Sequence, residues 1–571
     1  MDERLVPIVC PYCGVGCGLY ISTQDGRVTG LEYMREHPVN EGALCAKGNV
    51  ALDLVYHRDR LLFPLKRDAD RLHRISWAEG LDAVSQALSV IRDKYSPDAL
   101  GFLASAKATN EENYLFQKLA RMLGTNNIDH QARLHHETVD GLAASFGSSA
   151  MTNPVTDLAK ADCIFIIGSN FAEKQPILSR WVLDAKERGA KIIVADPRYT
   201  PTAWSADLYL PLLSGTDVPL IYAMMYVILK EGLWNREFVE SRSEGFEELR
   251  AAIETCPPLG AQEITSVKAE DIETAARMYA NAKASSIVCN MGVDTAALEN
   301  LANLAMLCGH IGRAGTGVNP LRGQDNVQGA CDMGALPNFF PAYQPVTDQA
   351  VREKFAAAWQ MDASQLSPRI GLALPEMIQS IDEGRLRGMV ILGENPVVSD
   401  LNSAQVEAAF KKLDFLAIIE LFPSETTQLA HVILPAASFA EKRGTKTATD
   451  RRVQWFERAI APVGETMPDW KIVCEIARRL GLKNEFDYED EESILIEIRS
   501  LAPIYAGITP RRLQAKLGGV HWPCWSEENG GMPILYSEGF KRPDSKGRMI
   551  AMEYSPPVEP VIETMKGGGH A

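Results

Sequence analysis

The sequence predicts an α/β chain, with a small cysteine-bearing N-terminal domain followed by two Rossmann-like domains around a ligand-binding crevice. Three observations predict it. Four cysteines, Cys10, Cys13, Cys17 and Cys45, stand near the amino terminus. Beyond them, continuous apolar runs alternate with helical stretches, as α/β architecture requires. One strand–turn–helix–strand design also occurs twice, first from Cys163 and again from Met389.

The cysteines read C-P-Y-C-G-V-G-C and, after a long gap, L-C-A-K-G. Four thiolates meet the need of a cubane [4Fe-4S] cluster, one per iron, and soft sulfur suits iron–sulfur chemistry. Gly14, Gly16 and Gly18 allow the tight turns with which a close triplet wraps three corners of a cube. Structural zinc is the competing reading, but it usually takes its ligands as two close pairs. Eleven cysteines in 571 residues are too sparse for a disulfide scaffold. The cluster ranks ahead of both.

A chain of this length should form several subdomains around more than one core. Its 46% hydrophobic and 23% charged content is ordinary for a globular protein. Neither a secretory signal nor a twin-arginine segment precedes Cys10, so a cytoplasmic location is expected. The longest apolar run, Val218 to Leu229, is too short to span a bilayer and reads as a buried helix. A net charge of −16 argues against nucleic acid, whose phosphates need clustered Lys and Arg.

Cys163 to Ile167 is a continuous apolar run, expected of a strand covered on both faces. It ends in Gly168-Ser169-Asn170, a helix to about Arg188 follows, and a second strand, Lys191 to Ala195, closes with Asp196-Pro197-Arg198. This is a Rossmann-like unit without the G-x-G-x-x-G fingerprint. The later copy runs from Met389 to Leu392, through Gly393-Glu394-Asn395-Pro396 and a helix, to Leu416–Glu420. A third strand, Ser286 to Asn290, leads into Met291-Gly292. Ligands of open parallel sheets sit beyond the carboxyl ends of the strands. Gly168, Asn170, Asp196, Arg198, Met291, Gly292, Gly393 and Asn395 are therefore candidate walls of a nucleotide site, although each turn singly is more often only a turn.

Residues 319–334 read N-P-L-R-G-Q-D-N-V-Q-G-A-C-D-M-G. A run so dense in Gly, Asn, Gln and Asp around one arginine has no evident fold requirement and reads as a loop that binds a large polar ligand through Gly323 and Gln324. Here the chain resembles the catalytic (alpha) subunit of molybdenum- or tungsten-dependent formate dehydrogenases, in the molybdopterin oxidoreductase family. Leu213-Ser-Gly-Thr-Asp217, Glu441-Lys-Arg-Gly-Thr445 and Asp469-Trp470 carry the same resemblance, which runs from Cys10 to about Pro556.

The resemblance implies a [4Fe-4S] cluster and a bis-molybdopterin guanine dinucleotide carrying Mo or W. It implies that Lys47 lies between cluster and pterin, that Arg322 holds the carboxylate of formate through paired hydrogen bonds, and that His136 accepts a proton. Gly215, Thr216 and Asp217 resemble contacts to the dinucleotide tails. The implied domains are 1–59 for the cluster, joined by 440–470; 60–129 with 331–439 and 471–550 for the first α/β domain; 130–330 for the second; and 551–571 as an exit strand and flexible tail. The family's C-terminal β-barrel domain is expected to be absent, or supplied by a separate chain.

Departures gather near the expected substrate. His135 stands where relatives place a metal-ligating cysteine or selenocysteine, and is the candidate Mo/W ligand here. Imidazole is neutral and harder than a thiolate, so the exchange should raise the metal's potential. Glu137 and Thr138 replace a small residue and a proline, Gln175 replaces a histidine, and the Gln-His pair usual after Met-Gly is missing. The expected function is two-electron interconversion of formate and CO2. The alternatives are a relay subunit that no longer turns over formate, within a heterodisulfide reductase-type complex for instance, and family chemistry on another substrate. A single cluster passes one electron at a time, so a partner subunit bearing flavin and iron–sulfur centres is expected.

Overall fold

A computed structural model describes residues 3–69, 71–133, 138–400, 402–552 and 554. The chain folds as two compact units, Met1–His135 with Arg322–Met532, and His136–Leu321 with Pro533–Ala571.

The first unit opens with an antiparallel sheet of three strands, Glu3–Val9, Gly18–Gln24 and Arg27–Tyr33. Side chains alternate as a half-buried strand requires, with Leu5 exposed and Val6 and Ile8 buried. Asp25-Gly26 closes the second hairpin with both φ angles positive, at 49° and 77°, the backbone of a type I′ turn. The unit's main sheet has seven strands. Five are parallel, in the order Ile128–His130, Leu100–Ala104, Gly388–Leu392, Phe415–Glu420 and Val432–Pro435. Leu65–Asp68 and Arg71–Arg74 extend that edge antiparallel. Leu100–Ala104 and Gly388–Leu392 are buried at every position, because helices cover both faces of a parallel sheet.

Numbered along the chain, these five strands lie in the order 2-1-3-4-5, so the winding reverses between Leu100–Ala104 and Gly388–Leu392. That reversal is a topological switch point, where the two connecting segments part and leave a crevice at the strands' carboxyl ends. The helix Asn110–Met122 follows directly. It starts on a capping box in which Thr109 accepts from the Glu112 amide and Glu112 accepts from the Thr109 amide. Gly444–Thr447, Arg452–Phe456 and Val520–His521 form a further antiparallel sheet in this unit.

The second unit is built on five parallel strands, Leu208–Leu210, Lys191–Ala195, Cys163–Ile167, Ser285–Cys289 and Gly317–Pro320. Their chain order is 3-2-1-4-5, so here the switch point falls between Cys163–Ile167 and Ser285–Cys289. The apolar run at Val218 forms the helix Asp217–Lys230, largely buried. Residues 533–550, which the sequence reading joins to the first α/β domain, pack in this second unit. Leu535 N donates to Thr152 O (2.9 Å) and Lys541 N to Phe146 O (3.0 Å). Phe540 stacks on Phe146 with ring centroids 5.2 Å apart, and the Tyr536 ring packs tilted against it at 5.3 Å. Gly547–Arg548 pairs with Ser243–Glu244. Among the described residues no helix is long and apolar enough to cross a membrane.

Candidate functional site

In the first unit Cys10, Cys13 and Cys17 are buried and Cys45 is partly exposed. Cys10 N donates to Cys17 O (2.8 Å), closing the triplet into a loop. Burial first, then the neighbouring thiols, pushes the Cys10 thiol up to about 12 and the Cys17 thiol well above its ordinary value. Cys13 is likewise raised by burial, with Lys47 and Lys107 opposing. Buried thiols that resist ionisation alone suit a cationic iron cluster, because coordination removes the proton. Among the described residues no three His, Cys, Asp or Glu side chains converge as ligands of one ion do; a cubane spreads its thiolates over four irons.

The three glycines of this loop have different reasons. Only Gly16 has a positive φ (67°), and a Cβ there would lie 2.4 Å from Gln454 Nε2. Gly14 and Gly18 are needed for close approach, since a Cβ would come within 2.7 Å of Arg322 O and 2.5 Å of His37 Cδ2 respectively. Cys45 is the N-cap residue of the short helix Ala46–Asn49, which carries the half-buried Lys47.

At the switch point of this unit lies a cavity of about 250 Å³. Pro11 and Tyr12, the residues between Cys10 and Cys13, form one wall, and Ser105, Lys107 and Gly393 form another. Ser105 Oγ donates to Gly393 O (2.9 Å), and Lys107 Nζ donates to the carbonyls of Pro11 (2.8 Å) and Tyr12 (2.9 Å). Cluster loop and sheet edge are thus bonded together around one cavity. Gly393 lines it; Asn395, Gly323 and Gln324 are not among its walls. Asn395 Oδ1 instead accepts from Thr426 Oγ1 (2.6 Å), tying the turn to the exit of the next strand.

Glu441-Lys-Arg-Gly-Thr445 proves to be an electrostatic hub. Arg60 grips Glu441 with two bonds of 2.9 and 2.8 Å. Lys442 Nζ donates to both oxygens of Glu112 (2.9 and 2.8 Å) and to Asp469 (2.7 Å). Arg443 pairs with Asp490 (2.8 Å) and Glu491 (2.9 Å), and Thr445 bonds Glu111. Burial, with Glu112 close by, raises Asp469 to about 7 against the opposing pull of Lys442.

The polar loop 319–334 departs from expectation, because much of its polarity serves the fold. Asn326 accepts from Thr447 N (2.7 Å) and donates to Ala108 O (2.7 Å). Gln328 donates to Asp332 (2.9 Å) and Tyr343 (2.8 Å), and Tyr505 donates to Asp332 (2.6 Å). In a buried segment every such group needs a partner, which explains the composition. Arg322 is 1% exposed, its amide held by Thr449 Oγ1 (2.8 Å) and its Nε 3.4 Å from Gln328 Oε1. Gln324 Oε1, by contrast, is buried with no hydrogen-bond partner among the described residues.

The second unit has its own cavity of about 540 Å³ at its switch point. It brings together Gly168, Asn170, Asp196, Arg198, Gly215, Asp217, Met291 and Gly292. Gly168 and Gly292 also demand each other: Gly292 N donates to Gly168 O (3.1 Å), and a Cβ on either would fall within 2.7 Å of the other's backbone. Asn170 Oδ1 accepts from Thr202 Oγ1 (3.0 Å), the counterpart of the Asn395–Thr426 bond. Burial, then Asp294, pushes Asp217 up to about 7. Each switch turn also holds a buried side-chain oxygen without a partner among the described residues, Ser169 Oγ in one and Glu394 Oε1 in the other. Such unpaired atoms at cavity turns suit a polar ligand.

His135 and His136 lie outside the described residues, as do Glu137 and most of the 551–571 tail. Lys107, Lys446, Ser105 and Glu420, all lining the first cavity, escaped the sequence reading. For Ser105 and Lys107 the available signal was position: they follow the apolar strand Leu100–Ala104, the rule that picked out Gly168 and Gly393. Glu420 ends the strand Phe415–Glu420, and Lys446 lies inside Gly444–Thr447 with no such signal.

The comparisons with known proteins agree with this geometry. Residues 60–479 match the family described as Molybdopterin oxidoreductase, and residues 3–57 match the Molybdopterin oxidoreductase Fe4S4 domain. The chain is 47% identical over 561 residues to the F420-dependent formate dehydrogenase subunit alpha of Methanocaldococcus jannaschii, covering 97% of this chain and 81% of that one. It is 38% identical to formate dehydrogenase H of Escherichia coli, covering 99% and 82%. Acetylene hydratase from Pelobacter acetylenicus superposes with a TM-score of 0.77 at 22% identity, over 95% of this chain and 77% of that one, a likeness of fold alone.

Proposed function

The chain belongs to the molybdopterin oxidoreductase family and carries its Fe4S4 domain, and from that premise we propose that it is a formate dehydrogenase-type subunit interconverting formate and CO2. Each formate gives CO2, one proton and two electrons. The observation that carries the reading is the shared wall of the first cavity, where the Cys10–Cys13 loop and the switch-point turn meet. A group bound there touches the cluster loop directly.

Each unit, taken by itself, has a switch-point cavity of the kind that takes a dinucleotide arm. Asp196 stands at the end of the second Rossmann strand, where an acidic residue suits a ribose hydroxyl. Gly168, Asn170, Arg198, Gly215, Asp217, Met291 and Gly292 hold the rest of that arm; in the first unit Gly393 lines the cavity, whereas Gly323, Gln324 and Asn395 stand outside its walls. The Mo- or W-bearing cofactor supplies the two-electron acceptor. Arg322 would hold the carboxylate, His136 would receive the proton, and Lys47 would favour negative charge beside the cluster cysteines. Cys10, Cys13, Cys17 and Cys45 carry the cluster, whose one-electron exchange calls for a partner subunit with flavin.

Formate-dependent dye reduction by the purified protein with its partner subunits tests this reading. A second reading rests on the expectation from the resemblance that His135 takes the place of a soft metal ligand, beside the changed Glu137 and Thr138. In that reading the subunit relays electrons through its cluster and does not oxidise formate. Iron without stoichiometric Mo or W supports the relay. A full metal complement with formate activity excludes it. Full metal without activity, restored by His135→Cys, excludes native formate chemistry.

A further inference from the structure

We infer that Lys107 is a positioning residue for the iron–sulfur cluster, pinning the Cys10–Cys13 loop to the switch-point cavity and setting the cluster's reduction potential through a Lys446–Asp325–Lys107 charge chain. Lys107 Nζ binds the carbonyls of Pro11 and Tyr12, the residues between two cluster cysteines, and lies 3.1 Å from Asp325 Oδ1. Its own amide donates to Ser105 Oγ (3.0 Å), whose hydroxyl binds Gly393 O at the switch point. One residue therefore bonds both the cluster loop and the sheet edge that walls the cavity.

The chain of charge continues inward. Asp325 has a fully buried carboxylate, and Lys446, also buried, pairs with its second oxygen. Two lysines on one carboxylate leave a net positive charge inside the unit, and low polarisability around it lets that charge act further than it would in water. Lys107 Nζ reaches the cluster loop through the Pro11 and Tyr12 carbonyls, and Asp325 stands behind it on the same ammonium. An added electron makes the cluster more negative, so a nearby cation favours reduction and a nearby carboxylate opposes it. Lys107 favours the reduced cluster and Asp325 disfavours it. Its side chain is 39% exposed, so solvent screens part of the effect. Lys47, two residues past Cys45 on the helix that begins there, carries charge of the same sign.

The inference rests on the cluster and is independent of formate turnover, because a redox titration reads the cluster in any chain that retains its iron. The test is an EPR-monitored titration of the protein with its partner subunits, with iron quantified in every sample. Lys107→Met should shift the cluster's midpoint to lower potential, Asp325→Asn should shift it to higher potential, and Lys107→Arg should stay near the native value. A residue that only braced the loop would move both neutralising variants in the same direction. That result, or unchanged midpoints with full iron content, overturns the inference. Should Lys107→Met lose its cluster, the sign of the Asp325→Asn shift decides alone: upward supports the inference, unchanged or downward overturns it.

Discussion

Replacing Lys442 by Met should cost the first unit several degrees of thermal stability, and the loss should grow with pH. Lys442 Nζ makes three charge-assisted bonds, at 2.9 and 2.8 Å to Glu112 and 2.7 Å to Asp469. All three side chains are at most 7% exposed. Methionine fills the space and removes the charge, leaving two buried carboxylates against each other. Removing one partner of a buried ion pair costs about 3–5 kcal/mol. At roughly 2.1 cal/mol/K per residue, a unit of this size loses about 1–2 °C per kcal/mol, so the melting temperature should fall by about 4–7 °C. The sign of the pH dependence follows from linkage. Without the lysine, burial and mutual repulsion raise both carboxyl pKa values above their unfolded values. Such groups bind their protons more tightly in the folded state, and stability is lost as pH rises from the unfolded towards the folded pKa. Calorimetry of native and variant chains at pH 5 and pH 8 should show the larger deficit at pH 8. A deficit under 1 °C at pH 8, or one that shrinks from pH 5 to pH 8, would refute the reasoning.

Three further outcomes are expected. Gly16→Ala, at φ 67° and with Gln454 Nε2 2.4 Å from the new Cβ, should strip most iron from the purified protein; Gly26→Ala, at φ 77° with nothing within 4 Å, should keep its iron and lose only about 1 kcal/mol. Gly168→Ala should force the two switch turns of the second unit apart and lower the guanine nucleotide released by acid hydrolysis, whereas Gly189→Ala, which meets nothing within 4 Å, should release the native amount. Asp217, raised to about 7 by burial, costs the fold increasingly as pH climbs from about 4 to 7, so Asp217→Asn should gain melting temperature relative to the native chain between pH 5 and pH 8; a constant difference across that range would contradict it.

Five of the twelve strands in the two parallel-based sheets were readable because their apolar runs are local. Cys163–Ile167 and Lys191–Ala195 occur with the bounds their composition indicates, and the other predicted strands shift by one residue at most at their ends. The Fe4S4 domain was readable because ligand chemistry restricts both residue type and spacing of the cysteines. Lys107 and Lys442 were not, since a lysine reads by itself as a solvated surface residue. What makes Lys442 a buried hub is Glu112, 330 positions away along the chain, and no local pattern records that meeting. The polar run 319–334 was read for its composition and mistaken in part for its purpose. Asn326, Gln328 and Asp332 look like ligand-binding groups until Thr447, Tyr343 and Tyr505 take up their bonds.

The sequence by itself determined the family, the four-cysteine pattern and the five strands read as apolar runs, because each of these is written in residue type at short range. Only the tertiary structure decided which strands lie side by side, and so where the winding reverses and a cavity opens. It also decided that the loop between Cys10 and Cys13 is bonded to the first unit's switch point through Lys107. The physical reason is the same in both cases: pairing between distant strands and burial of charge are energies of juxtaposition, which exist only once the chain has folded.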